Sequence, residues 1–369
     1  MIVSGMIDRS WDVDVYFAFD GPFVKRMRRK RCSVSVIPHS SWLRQPGWFR
    51  FMRNLVVENR RSIAFEREFE RTRPDLVYVN SLVSYAAARA AKRLGIPLVW
   101  HMRELFSDEN GEMVCPSLFG RSFVRRLVAS MATKIAVNSA AVGSNIFGSA
   151  SQVAYENVPN AIDNTFFRAR GDRMAFRRPV NLSSASRLVG LPGTLRQVKG
   201  HEYFLRSIPL ILEQVPDCFF AITGAIDSQF ARELVDRVKK SPFVDRVIFT
   251  GNISDMLPFY YGCDVCCVPS LSEPFGRTAI ECFATRTPLV ASGVGGLKEI
   301  VQDGKNGLIV DYGDEKALAD SIVSLLNKPK QAERQVEQAF LDAEARYTER
   351  AYVERTSAVI DEALALANR

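Results

Sequence analysis

The chain has 369 residues, of which 47% are hydrophobic and 24% charged, and it carries a net charge of +8. That length exceeds one hydrophobic core, so two domains are expected, and the composition is that of a soluble globular protein. No apolar run reaches the roughly 18 residues of a membrane span, and the N-terminus lacks the charged-then-apolar pattern of a signal peptide.

In the first half the runs 12–19, 32–38, 75–81, 97–102 and 133–139 predict strands. The Ala-rich stretch YAAARAAKRLG predicts a helix closed by Gly95. Strands follow at 218–224, 245–251, 263–270, 288–292 and 307–311, separated by helical patterns, and a last amphipathic helix ends the chain. Runs that are apolar throughout, without alternation, belong to parallel sheets buried on both faces. The fold class is therefore α/β, with two doubly wound Rossmann-like domains facing across a cleft. A polar seam near 170–185 divides them into 1–176, 177–345 and a C-terminal helix, 346–369, expected to pack back on the first domain.

Charge is uneven. Residues 1–180 hold 28 Lys and Arg against 16 Asp and Glu, and the remainder 21 against 25. Segment 21–61 alone has eleven basic residues and one acid, interleaved with Trp42, Trp48, Phe49 and Phe51. Such a segment fits anionic lipid headgroups or nucleic acid, and equally a solvated helix face. The seven cysteines show no zinc-finger spacing and predict reduced structural thiols in a cytosolic protein.

The most informative stretch is PSLSEPFGRTAIECFATRTPLVAS, with Glu273 and Glu281 eight positions apart. Ligands of open α/β sheets bind at the carboxyl ends of the strands, and Glu273 follows a predicted strand directly. If wholly helical, the spacing is roughly 12 Å, suited to a ligand with a sugar at one end and a nucleoside at the other. Carboxylates accept from vicinal hydroxyls, while Gly276 and the helix-start amides of Phe275, Gly276 and Arg277 suit an anion between them. The plainer alternative is a helix-capping acid and an unrelated helix acid. GTLRQVKGHEYFL, leaving the first strand of the second domain, offers Arg196 and Lys199 in a Gly-bounded loop suited to phosphate. ASGVGGLKEIV reads as a tight connection, or less directly as a phosphate cradle.

SEPFGRTAIE, GTLRQVKGHEYFL, DRVIFTGNISDM, GVGGLKEIVQDGKNGLIV and VPNAID occur in the order and spacing of retaining glycosyltransferases of family 4, and the chain resembles that family. The resemblance is strong over about 158–330 and looser over 12–157. It implies the GT-B fold and transfer of a sugar from a nucleotide-diphosphate sugar to a glycan or lipid-linked acceptor, with retention and without a metal or other cofactor. Matched position by position, Glu273 contacts the donor sugar, Glu281 holds the ribose, and Lys199 neutralises the diphosphate. Arg196 stands two positions after the family's usual arginine place, which Thr194 fills. Asn252 and Ile253 match the loop beside the base. His101, in VWHMRE, matches a strand-end histidine near the acceptor, although a lone histidine is commonly structural. The resemblance also implies a cytoplasmic enzyme of polysaccharide biosynthesis, peripheral on the inner face of an anionic membrane through 21–61, with no nucleic-acid partner.

Family members usually open with a strand and a Gly-Gly loop. Here the first convincing strand starts at residue 12 and looks like the family's second, so the first domain is expected to lack that unit. This keeps two other readings open: a non-catalytic nucleotide-sugar-binding partner in a glycan assembly complex, and a GT-B nucleotide-sugar epimerase.

Overall fold

A computed structural model of the chain describes residues 1–43, 47–106, 117–148, 153–168 and 170–368. It divides into two compact units, Met1–Asn160 with Glu349–Arg369, and Ala161–Thr348.

In the first unit β1 (Asp14–Phe17) and β2 (Ser33–Val36) make a parallel pair. A separate parallel sheet runs in the order β3 (Val77–Asn80), β4 (Leu98–Met102), β5 (Lys134–Val137), β6 (Glu156–Asn157). The expectation of strands buried on both faces holds for β4. It fails for β1 and β2, in which no residue is fully buried. With only two strands, each is an edge. The helix Trp48–Thr72 lays Phe51, Phe65 and Phe69 into the core, and the predicted helix Tyr85–Leu94 meets it with small Ala86, Ala88, Ala90 and Ala91. At the N-terminus MIVSG opens a helix, Ile2–Asp8. A Cβ on Gly5 would fall 2.3 Å from Val353, so close packing on the last helix, Glu349–Ala367, uses that glycine.

The basic segment is less exposed than its charge suggests. Trp42 and Phe51 are buried, and Trp42 Nε1 donates to the Leu82 carbonyl at 2.8 Å. Phe23 stays exposed beside Lys25, Arg26, Arg28 and Arg29, and Trp48 and Phe49 stay exposed beside Arg50 in the chain. Residues 44–46 of this segment lie outside the described residues.

The second unit carries one six-stranded parallel sheet. Its strands are β7 (Arg187–Leu191), β8 (Cys218–Thr223), β9 (Val247–Gly251), β10 (Val265–Val268), β11 (Leu289–Ser292) and β12 (Leu308–Val310). Their order is β12-β11-β10-β7-β8-β9. Winding proceeds outward from β7 on one side and from β10 on the other, so the topological switch point lies between these two strands. Cys218, Cys263, Cys266, Cys267 and Cys282 are free thiols in this interior, and burial pushes those of Cys263, Cys266 and Cys267 well above the ordinary range. Cys115 lies outside the described residues.

The boundary predicted at 176/177 falls instead at 160/161. The reason is Arg177, read from the sequence as part of a polar seam. Its guanidinium is fully buried and donates to the carbonyls of Gly262, Ser183 and Ser186 and to Asp264 Oδ2, at 2.7–2.9 Å. Phe166 and Phe167 pack on Tyr260 and Phe340. The stretch from 161 on therefore belongs to the second unit.

Candidate functional site

Two loops meet at the switch point. The loop after β7 ends in a 3-10 turn, Gln197–Lys199, and Gly200 then starts the helix His201–Gln214 with φ of +74°. The loop after β10 runs from Pro269 to Gly276. A Cβ at residue 200 would lie 1.8 Å from the Pro269 carbonyl oxygen, so only glycine lets the backbones approach this closely. Leu271 N donates to Val198 O at 2.8 Å across the same seam. This contact delivers Lys199 Nζ to Glu273 Oε2 at 2.7 Å, with Ser270 Oγ 3.4 Å from the same oxygen.

The third loop, after β11, resolves ASGVGGLKEIV in favour of a tight connection. Gly296 N donates to the Glu273 carbonyl at 2.9 Å. A Cβ on Gly295 would lie 2.1 Å from that oxygen, and one on Gly296 2.5 Å from the Phe275 oxygen. These glycines serve the backbone of 273–275.

Gly276 caps the eight-residue helix Arg277–Ala284 at φ +110°. The first amides of a helix have no intrahelical acceptor, which leaves them directed at the loop end. Glu281 lies on this helix and is 9% exposed. Its Oε2 accepts from Tyr260 Oη at 2.6 Å and its Oε1 from Arg277 Nε at 3.1 Å. Burial raises its pKa, and Arg277 and the tyrosine bond oppose that rise. Each acid thus has its own cation, Lys199 for Glu273 and Arg277 for Glu281. Arg196 is exposed on the β7 loop, and Phe275 is buried against Tyr347. Asn252 and Ile253 follow β9 at the sheet's edge, Asn252 exposed and Ile253 half-buried.

His101 belongs to the first unit and stands next to last in β4, at the strand end expected for it. β4 continues to Met102, and the imidazole is fully buried, with Nδ1 2.5 Å from Tyr78 Oη. Burial, then Arg103, holds its pKa well below the ordinary range. Sequence reasoning also missed Tyr260 and Ser270, which act on the two acids through the fold. A tyrosine 21 positions before its partner leaves no local signal. Among the described residues no group of three or more His, Cys, Asp or Glu is arranged to hold a metal ion.

The glycosyl transferases group 1 family matches residues 186–328, and the glycosyl transferase 4-like domain matches residues 1–160. The two matches fall on the two halves of the chain, the 4-like domain on the first and the group 1 family on the second. All the switch-point residues lie in the group 1 domain and His101 in the 4-like domain. The chain is similar to the lipopolysaccharide core biosynthesis mannosyltransferase LpsB of Rhizobium meliloti, 32% identical over 184 residues, 47% of this chain and 52% of LpsB. It is also similar to a D-inositol 3-phosphate glycosyltransferase of Corynebacterium urealyticum, 31% identical over 163 residues, 42% of this chain and 38% of that protein. The matches span about half or less of these relatives' lengths. Among solved structures, Anabaena Alr3699/HepE in complex with UDP-glucose superposes with a TM-score of 0.77 at 20% identity, covering 98% of this chain and 94% of that one. A Rickettsia africae glycosyltransferase gives 0.80 at 15% identity, covering 98% and 96%. At such identities the likeness shows the fold, the two-domain GT-B arrangement of Rossmann-like units.

Proposed function

We propose that this protein transfers a glycosyl group from a nucleotide-diphosphate sugar to a glycan or lipid-linked acceptor, with retention at the anomeric carbon and without a metal. The observation that carries the reading is the Lys199–Glu273 pair at the switch point, beside a glycine-started helix N-terminus and a buried acid, Glu281. Loss of a diphosphate builds negative charge on the leaving group, which a fixed ammonium and helix amides stabilise. Lys199 is neutralised by Glu273, so an incoming diphosphate competes for the ammonium and leaves the carboxylate free to accept from sugar hydroxyls. The leaving phosphate oxygen takes the acceptor's proton, and neither acid serves as a general base. Glu281 holds the ribose, Asn252 and Ile253 border the base, and Arg196 extends the phosphate site. His101, buried on Tyr78, supports the first unit in this reading. LpsB is named for the lipopolysaccharide core and HepE is solved with UDP-glucose, which favours a sugar nucleotide donor and a glycan acceptor; in this reading the acceptor is met on the cytoplasmic side of a membrane. Exposed Phe23, Trp48 and Phe49 among cations supply the surface for that membrane.

Calorimetry with UDP and GDP, together with transfer assays, tests this reading. Glu281→Ala is expected to weaken nucleotide binding by about 1–3 kcal/mol, the loss of charged hydrogen bonds at a buried site. Glu273→Ala should lower turnover while leaving nucleotide binding nearly intact. Equal loss of binding in both would sink the division of roles. Transfer should persist in EDTA; abolition with restoration by manganese would overturn the metal-free chemistry. One observation favours the non-catalytic binding reading instead: β1 and β2 form no ladder with β3 among the described residues. Nucleotide binding without any turnover would select it.

A further inference from the structure

His201 follows Gly200 directly and is 1% exposed. Its Nδ1 lies 3.2 Å from the Arg196 carbonyl oxygen. A carbonyl only accepts, so the ring proton resides on Nδ1 and Nε2 presents a lone pair. Nε2 is buried and has no hydrogen-bond partner among the described residues. His201 lines a cavity of about 10 Å³, whose other polar lining is Lys199, Ser270, Glu273 and Thr278. That volume corresponds to about one water, and a buried water needs two to four polar partners. Lys199 and Ser270 both address Glu273 through Oε2.

We propose that His201 is a positioning residue of the donor site: its Nε2 accepts from one water held in this cavity, whose second proton goes to the Glu273 carboxylate. The water accepts in turn from the Thr278 hydroxyl or the Lys199 ammonium. Glu273 is then held from both sides, by Lys199 directly and by His201 through the water, and it keeps its orientation when a diphosphate draws Lys199 away. Burial and the nearby ammonium keep the imidazole neutral, with its pKa lowered to about 4, so the acceptor lone pair persists at physiological pH. The inference rests on the donor-site reading above for its effect on turnover, but not for the tautomer or the water.

Two variants separate this role from a structural one. In His201→Asn the amide nitrogen reproduces the Nδ1 donor to Arg196 and nothing replaces Nε2. In His201→Gln the amide reaches the Nε2 position and the Arg196 carbonyl loses its donor. Expected is a fall in kcat of about tenfold for His201→Asn with UDP affinity unchanged, and a change within about threefold for His201→Gln. The reverse ranking, equal losses that follow melting temperature, or no loss in either variant would each overturn the proposal. A second arm needs no turnover. Long-range proton–nitrogen NMR of the wild-type imidazoles, with His201→Gln as the assignment control, should show His201 protonated at Nδ1 and hydrogen-bonded at Nε2. Protonation at Nε2 would overturn the proposal even in an active enzyme. If the expected tautomer is found and the wild type neither binds UDP nor turns over, the donor-site reading fails while the water site stands.

Discussion

The second unit joins six parallel strands in one ladder and presses its loops together backbone against backbone, at Gly200 on Pro269 and at Gly295 on Glu273. The first unit divides its strands into a pair and a four-stranded sheet and closes largely through side chains reaching distant backbone. Trp42 Nε1 donates to Leu82 O, Trp100 Nε1 to Ser81 O, and Glu58, fully buried, accepts from Ser40 N at 3.1 Å. Contacts of the first kind demand glycine at fixed places and tolerate no substitute. Those of the second kind depend on which side chains meet, and other side chains can serve.

The sharpest test of that contrast compares two left-handed glycines. Gly200→Ala places a Cβ inside a backbone carbonyl and is expected to cost about 3–5 kcal/mol. Gly95→Ala in the first unit, at φ +69° with nothing within 4 Å of the new Cβ, should cost only about 1 kcal/mol. Urea denaturation of the two variants reads both values, and equal costs would erase the distinction.

Acid should weaken both units through their interior histidines. The folded pKa of His201 lies near 4 against an ordinary 6.5, so the native state binds fewer protons than the unfolded one. Its contribution is complete above about pH 6.5 and disappears as pH falls toward 4, a loss of up to about 3 kcal/mol in the second unit. His101 shifts in the same direction and gives the first unit the same sign. Stability measured against pH in His201→Gln should lose the slope of the second unit alone; a slope unchanged by that substitution would contradict the burial argument.

A smaller effect separates the units thermally. Calorimetric scans should show two transitions, the first unit melting earlier because β1 and β2 add no ladder to its four-stranded sheet. UDP at about a hundred times its Kd should add roughly 2.7 kcal/mol to the later transition only. One cooperative melt, moved as a whole by UDP, would show the units to be energetically inseparable. The smallest expected effect on stability is at the exposed aromatics. Phe49→Ser should change folding by less than about 0.5 kcal/mol while reducing sedimentation with acidic-lipid vesicles at low salt. Equal sedimentation of the wild type with neutral and acidic vesicles would remove the membrane from the function.

The same contrast explains what could be read in advance. Ten predicted strands coincide with observed ones, because apolar runs such as PLVAS and CFFAITG need no partner to be recognised. The loop residues Lys199 and Glu273 were legible for a related reason: the nearby Gly200 and Gly276 mark places where the backbone must come close. Two-residue β6 has too little sequence to carry a pattern. Phe51 was concealed by the cations around it, since a long helix buries a stripe of its residues whatever its total charge, and Trp42, ahead of that helix, is buried where it reaches the distant Leu82 carbonyl. Tyr260 on Glu281 and the orphan nitrogen of His201 arise only when distant segments meet.

The buried guanidinium of Arg177 sets where this gene can be cut. The group 1 family match begins at residue 186, and a fragment started there would discard Arg177 and leave Asp264 without its buried cation, beside a vacated slot under Gly262. A fragment started at 161 keeps Arg177, Phe166 and Phe167 with the surfaces they cover. Anyone producing the second unit alone, for ligand screening or crystallisation, should therefore take the longer piece and expect the shorter one in inclusion bodies.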